Sequence, residues 1–165
     1  MDPDGEVFVQ QQSVVESQRG GDRHGAGALH GLRWIREVVF RHLVDPEEVA
    51  AIFVEPIQGE GGYIVPPPDF LPALAALARE FGIFLVVDEI QTGMGRTGRM
   101  FACEHVGVTP DILTLAKGIA SGLPLGAMIA DAARMTWAPG AHGNTFGGNP
   151  IACEAARATI NLPEK

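Results

Sequence analysis

Short, unbroken apolar runs, set apart by helical stretches, constrain this chain more than any other feature. Val49 to Val54 (VAAIFV), Ile83 to Val87 (IFLVV), Ile112 to Leu115 (ILTL) and Leu125 to Ala130 (LGAMIA) lack the alternation of a strand with one wet face. Such runs suit strands buried on both sides, which belong to largely parallel sheets covered by helices. Helical spacing surrounds them. Leu32, Ile35, Val39 and Leu43 recur along residues 28 to 43, and Asp45-Pro46 stops that helix or opens a short turn. Residues 70 to 81 (FLPALAALAREF) predict a second helix, with Asp69 as its N-cap and Gly82 as its stop. A short helix is expected near residues 99 to 106. A closing helix is expected over 150 to 162, with Asn149 as cap and Pro150 at its first position. The rhythm predicts an α/β fold, a mostly parallel sheet flanked by helices. Residues 1 to 27 show no sustained period and end in a Gly-rich polar stretch, so they are expected to be disordered or unable to pack alone.

In an open parallel sheet, ligands bind outside the carboxyl ends of the strands. Glu55 follows the first apolar run, Asp88 the second and Lys117 the third, so three chemically useful groups are expected at one rim. Lysine is scarce: Lys117 and Lys165 are the only two, and Lys165 ends the sequence. Amine chemistry therefore has one candidate. A cofactor that acts as an electron sink needs an amine for a Schiff base and a carboxylate to keep its pyridine nitrogen protonated. Lys117 and Asp88 supply that pair, and small Ala116 and Gly118 leave room for a flat ring. Singly, an Asp at a strand end is more often a helix cap, and a lysine a solvated surface group. The pairing carries the reading.

Other classes are disfavoured. A net charge of -8 argues against a nucleic-acid partner, which demands a basic surface. No apolar run approaches bilayer length, and the first residues lack the pattern of a signal peptide. Cys103 and Cys153 fit no metal or redox spacing and read as buried thiols of a reducing compartment, so a cytoplasmic location is expected. The 5 histidines form no zinc-ligand pair, and no metal site is expected. Gly93 to Gly98 (GMGRTG) spells the dinucleotide fingerprint, but those glycines should turn directly from strand into a long helix. Here Asp88 to Thr92 intervene, so a nicotinamide enzyme is set aside.

The stretches EPIQGEGG (55 to 62), VVDEIQTGMGRTG (86 to 98), LTLAKGIASGLPLGA (113 to 127) and HGNTFGGNP (142 to 150) resemble the class III aminotransferases, the group of acetylornithine, ornithine and 4-aminobutyrate aminotransferases. The resemblance runs from about residue 28 to 162, with the motifs in the family's order. It implies the large domain of a pyridoxal 5'-phosphate (PLP) dependent transferase of fold type I. It further implies transfer of an amino group from an amine or amino acid to a 2-oxo acid. In that family the residue matching Lys117 forms the Schiff base and later carries a proton. The match to Asp88 pairs with the pyridine nitrogen, that to Ile90 packs on one ring face, and that to Gln91 bonds the ring's phenolic oxygen. Thr145 would bind the cofactor phosphate of a neighbouring subunit, implying a homodimer with shared active sites. Glu60 matches a residue that neutralises an arginine where a substrate carboxylate enters; Glu55 is expected to be architectural.

Family members are considerably longer than this sequence. Their N-terminal region supplies a Gly/Ser-rich phosphate turn and an aromatic residue that stacks on the ring, and a C-terminal small domain carries the arginine partnered by the Glu60-type residue. The expectation is a partial large domain over residues 28 to 165, preceded by a segment, 1 to 27, outside the family pattern. Two alternatives stay open at this level: an amino-acid racemase using the same lysine, and an inactive fragment with at most a dimerisation role.

Overall fold

The computed structural model describes residues 8–10 and 26–162, with backbone alone for 8–10 and 26–29. Five strands form one sheet in sequential order: β1 (Phe8–Gln10), β2 (Ala51–Val54), β3 (Phe84–Asp88), β4 (Ile112–Leu115) and β5 (Ala127–Ala130). The first four run parallel, and β5 returns antiparallel to β4. The mostly parallel sheet expected from the apolar runs is thus present. β1 pairs with β2 from Phe8↔Ala51 to Gln10↔Phe53, inside the stretch expected to lack structure. Three extended residues add an edge to a buried neighbour without needing a periodic pattern of their own, which is why the sequence did not announce them. The remainder of that expectation, residues 1–7 and 11–25, lies outside the described residues.

Among the described residues three longer helices accompany the sheet: α1 (Ala26–Trp34), α2 (Phe70–Phe81) and α3 (Pro150–Ile160). Helix α1 runs on into a π-helical stretch, Ile35–Leu43. That wider winding explains one departure from the expected pattern. With i→i+5 bonding, including Val44 N–H to the Val39 carbonyl at 2.9 Å, the apolar face shifts by one residue. Val44 packs against the core, while Leu43 is left 65% exposed. Helix α2 has its expected limits and stops at Gly82 in the left-handed region (φ 71), where an L side chain is strained. Asp69 occupies the cap position but makes no side-chain cap; its backbone is already helical (φ -85, ψ -12) and its carbonyl accepts from Ala73 N–H. Asn149 does cap α3, accepting from the N–H groups of Ile151 and Ala152.

Register separates the two faces of the sheet. Ile52, Val54, Leu85, Val87, Leu113 and Leu115 share one face by alternation and pairing. They join Leu32, Ile35, Val39, Leu71, Leu74 and Leu77 from α1, its π-helical extension and α2 in one core. Two contacts fix the helix pair: the Arg36 guanidinium meets both Glu80 carboxylate oxygens at 2.5 Å, and Phe40 meets Phe81 edge to face at 4.9 Å. The opposite face is more open. Phe53 and Phe84 are each 39% exposed and Met128 43%.

Leu74, 3% exposed in the middle of α2, is the clearest test of this core. Leu74→Ala is expected to cost about 2–5 kcal/mol, read as a lower urea midpoint. Asn149→Ala should cost only about 1 kcal/mol, the loss of one cap.

Candidate active site

The parallel register carries the expected groups to one rim. Val54 pairs with Val87 and Asp88 with Thr114, so Glu55, Asp88 and the residues after Leu115 leave the sheet side by side. The strand order does not reverse within the described sheet, so the rim lies at the carboxyl ends of the strands but not at a topological switch point.

Lys117 opens a 3-10 turn, Lys117–Ala120, directly after β4. Its backbone is left-handed (φ 47), a conformation that costs a non-glycine residue on the order of 1–3 kcal/mol and that concentrates at functional sites. The turn is backed by α3: Ile119, Ala120 and Ala156 share the core, and Ser121 Oγ lies 2.8 Å from Thr159 Oγ1. Gly118 faces the loop after β3, where an added Cβ would come 3.2 Å from Met94 Cβ. The Lys117 side chain is exposed and donates from Nζ to Gln91 Oε1.

Asp88 ends β3, and its Oδ1 accepts from Ile90 N–H at 2.9 Å. Among the described residues neither Asp88 nor Lys117 enters an ion pair; the four salt bridges use other groups. Lys117 bonds instead to Gln91, three residues beyond Asp88, and the Asp88 carboxylate to Ile90 N–H on the same turn. Gln91 is steadied from the other side. Glu55 accepts from Gly59 N–H at 2.6 Å, and Gly59 lies against Gln91, where an added Cβ would meet Gln91 Cγ at 3.2 Å. The Gln91 amide also donates from Nε2 to Tyr63 Oη at 3.3 Å.

The other expected residues are placed less tightly. Ile90 is half-buried on the same turn as Gln91. Glu60 is exposed in the turn that presses Gly59 onto Gln91, so it borders the rim without bonding to Lys117 or Asp88. Thr145 is exposed in the loop before α3, and among the described residues no hydrogen bond joins it to the lysine turn. Gly93 to Gly98 form consecutive turns with positive φ at Met94, Gly95 and Gly98, and only the short 3-10 turn Ala102–Val106 follows. The dinucleotide reading fails on structure as it did on context.

Sequence reading missed Glu89. Its carboxyl group is 1% exposed and accepts from Thr92 Oγ1 through Oε2 and from Cys103 N–H through Oε1 at 2.8 Å. The signal was available: continuing the alternation of β3 puts Glu89 on the core face with Leu85 and Val87. Tyr63 was missed as well, and nothing in its neighbourhood of sequence points to Gln91. Of the two cysteines, Cys103 is buried as expected but Cys153 is only half-buried.

This arrangement has known counterparts. The sequence model of the Aminotransferase class-III family matches residues 16–165, starting inside the segment expected to fall outside the family. The chain belongs to that family. It is 59% identical to a putrescine aminotransferase of Pectobacterium atrosepticum, over 72% of this chain and 28% of that protein. Among solved structures it resembles an (S)-enantioselective omega-transaminase from Thermomicrobium roseum, with 39% identity, TM-score 0.73, and coverage of 82% of this chain and 31% of the other. An ornithine aminotransferase from Toxoplasma gondii gives 45% identity and TM-score 0.68, covering 81% and 29%. The fold is that of the PLP-dependent aminotransferases, and the chain spans about a third of the length of these relatives.

The Cys103 thiol is pushed up to about 12, first by burial and then by Glu89 beside it. The thiolate is the reactive form. A thiol-exchange reagent at pH 8 is therefore expected to modify half-buried Cys153 in the folded chain and Cys103 only after urea unfolding. Peptide mass mapping of the modified sites checks this; early labelling of Cys103 would contradict the burial described.

Proposed function

We propose that this chain is part of a PLP-dependent aminotransferase that moves an amino group from an amine or amino acid to a 2-oxo acid, with Lys117 as the residue that holds the cofactor covalently. One observation carries the reading: a carboxylate ends one strand and an amine lies two residues past the end of its parallel neighbour, each free of ion pairs among the described residues, and the amine bonds to Gln91 on the turn that follows the carboxylate. The residues fit the group. PLP, when bound, supplies an electron sink for the carbon that bears the amine. Asp88 would hold the proton on the ring nitrogen, its carboxylate already oriented by Ile90 N–H. Gln91, held by Gly59 and Tyr63, would turn its amide toward the ring's phenolic oxygen once Lys117 is engaged. Ile90 would pack on a ring face. The Lys117 amine would carry a proton to or from the substrate's Cα.

Several further assignments follow from the family. Thr145 would reach the phosphate held by a second subunit, in keeping with its exposure and its distance in sequence from the rim, so a homodimer with shared sites is proposed. Glu60, beside the rim, would meet an arginine of the substrate-carboxylate site. The segment 28 to 165 is read as a partial PLP-binding large domain. The putrescine aminotransferase relative supports an amine donor, and all the relatives cited are aminotransferases, which favours that reaction over racemisation. No helix among the described residues is long and apolar enough to cross a membrane, and a cytoplasmic location is proposed.

Trapping tests the central assignment. After mixing the folded chain with PLP and reducing with borohydride, the cofactor mass is expected on the peptide containing Lys117. Lys165→Ala should leave that label intact and Lys117→Ala should abolish it. Label confined to Lys165 or the amino terminus in folded protein would sink the proposal.

A further inference from the structure

We infer that Glu89 is a positioning residue for this site: its buried carboxyl group fixes the turn that presents Asp88 and Gln91 to Lys117. The inference rests on the reading of Lys117 and Asp88 as the cofactor pair, but its structural basis is independent of any cofactor. Asp88 and Glu89 are consecutive, so they point to opposite faces at the end of β3. One reaches the rim and the other turns inward. The ladder continues one residue past the strand, with Glu89 N–H donating to the Thr114 carbonyl at 3.0 Å. The Glu89 carbonyl then accepts from Gly93 N–H at 2.8 Å and closes the chain into a single turn. Only glycine suits that return, since a Cβ on Gly93 would come 2.8 Å from the Glu89 carbonyl oxygen.

Inside the turn, the side chain ties both ends down. Oε2 accepts from Thr92 Oγ1 on the turn itself, and Oε1 from Cys103 N–H at the start of the 3-10 turn Ala102–Val106. The Cys103 thiol lies beside this carboxyl group, which helps burial to keep it protonated. Both side-chain oxygens of Glu89 thus either bond within residues 88–93 or anchor them to the segment at 102–106. Ile90 and Gln91, the middle of that turn, have no comparable internal anchor: Ile90 N–H goes back to Asp88, and Gln91 bonds outward to Lys117 and Tyr63. Removing the carboxyl group would leave the turn hinged at Gly93 and two buried donors, Thr92 Oγ1 and Cys103 N–H, without an acceptor.

The inventory of donors separates a positioning role from bulk packing. Glu89→Gln keeps an acceptor for Cys103 N–H, and its amide donates to Thr92 Oγ1, which accepts as readily as it gives. Glu89→Ala keeps neither. Hydrogen–deuterium exchange on the chain without cofactor is the deciding measurement, with Leu74→Ala as a control that lowers stability through α2. Glu89→Ala is expected to speed exchange over residues 88–93 about tenfold relative to residues 51–54, the scale expected for a buried group left unpaired. Glu89→Gln should restore the ratio, and Leu74→Ala should raise both segments together. With PLP and borohydride, Glu89→Ala should need about tenfold more cofactor for half-labelling of Lys117, with full labelling at saturation. If Glu89→Ala does not fold, Thr92→Val, which removes one bond and keeps the shape, is expected to raise the same ratio several-fold. Exchange over 88–93 that rises only in step with 51–54 in these variants overturns the inference. Failure of the wild-type chain to label at Lys117 overturns instead the cofactor reading, and the exchange ratio still decides what Glu89 does.

Discussion

Between β3 and β4, Val86, Val87 and Asp88 pair in parallel with Ile112, Leu113 and Thr114, and the chemistry of the rim hangs on that register. A slip of one residue would turn Asp88 toward the helix-covered face and Glu89 toward the rim, because side chains alternate strictly along a strand. The apolar residues forbid it. Leu85 and Val87 face the packed side beside Leu113 and Leu115, and the slip would turn both of the β3 side chains out of that core at roughly 1.5–3 kcal/mol each. Hydrophobic burial on one face thus sets which carboxyl group reaches the rim on the other.

The two faces are unequally finished. One is filled by α1 and α2; the other carries Phe53, Phe84 and Met128 at 39–43% exposure. Parallel sheets as a rule are covered on both sides. By register, Asp88 belongs to the more open face together with Phe53, Phe84 and Val86. Arg134 already lies over part of this face, stacking on Phe84 at 4.8 Å while pairing with Asp111.

Much of this was legible in the residues, for identifiable reasons. Strands buried on both sides announce themselves as unbroken apolar runs, and α2 and α3 are bounded by Gly82 and by Asn149-Pro150, whose backbone chemistry leaves little choice. The rim followed from placing Asp88 and Lys117 at successive strand ends. What escaped was of two kinds. The edge strand Phe8–Gln10 and the π-helical winding of Ile35–Leu43 are set by tertiary pairing and packing, which a local pattern does not encode. Glu89 escaped because a charged residue type suggests surface; only its place in the alternation of β3 shows that it turns inward.

Glu89 also shows how a site of modest exposure can be held without rigid walls. Asp88 ends β3 and Lys117 lies two residues past β4, so β-sheet pairing fixes the ends of those strands but not the loop between them. That loop turns on glycines at 93 and 95, and a glycine-rich turn loses more entropy on ordering than any other. A buried carboxyl group bonded at both oxygens offsets that entropy in one place, directly behind the residue that must be aimed. The left-handed backbone of Lys117 is held on the other side by Ile119 and Ala120 in the core against α3. Half-buried Asp88 is therefore followed directly by an anchored residue, Glu89, and exposed Lys117 is followed two residues on by another, Ile119.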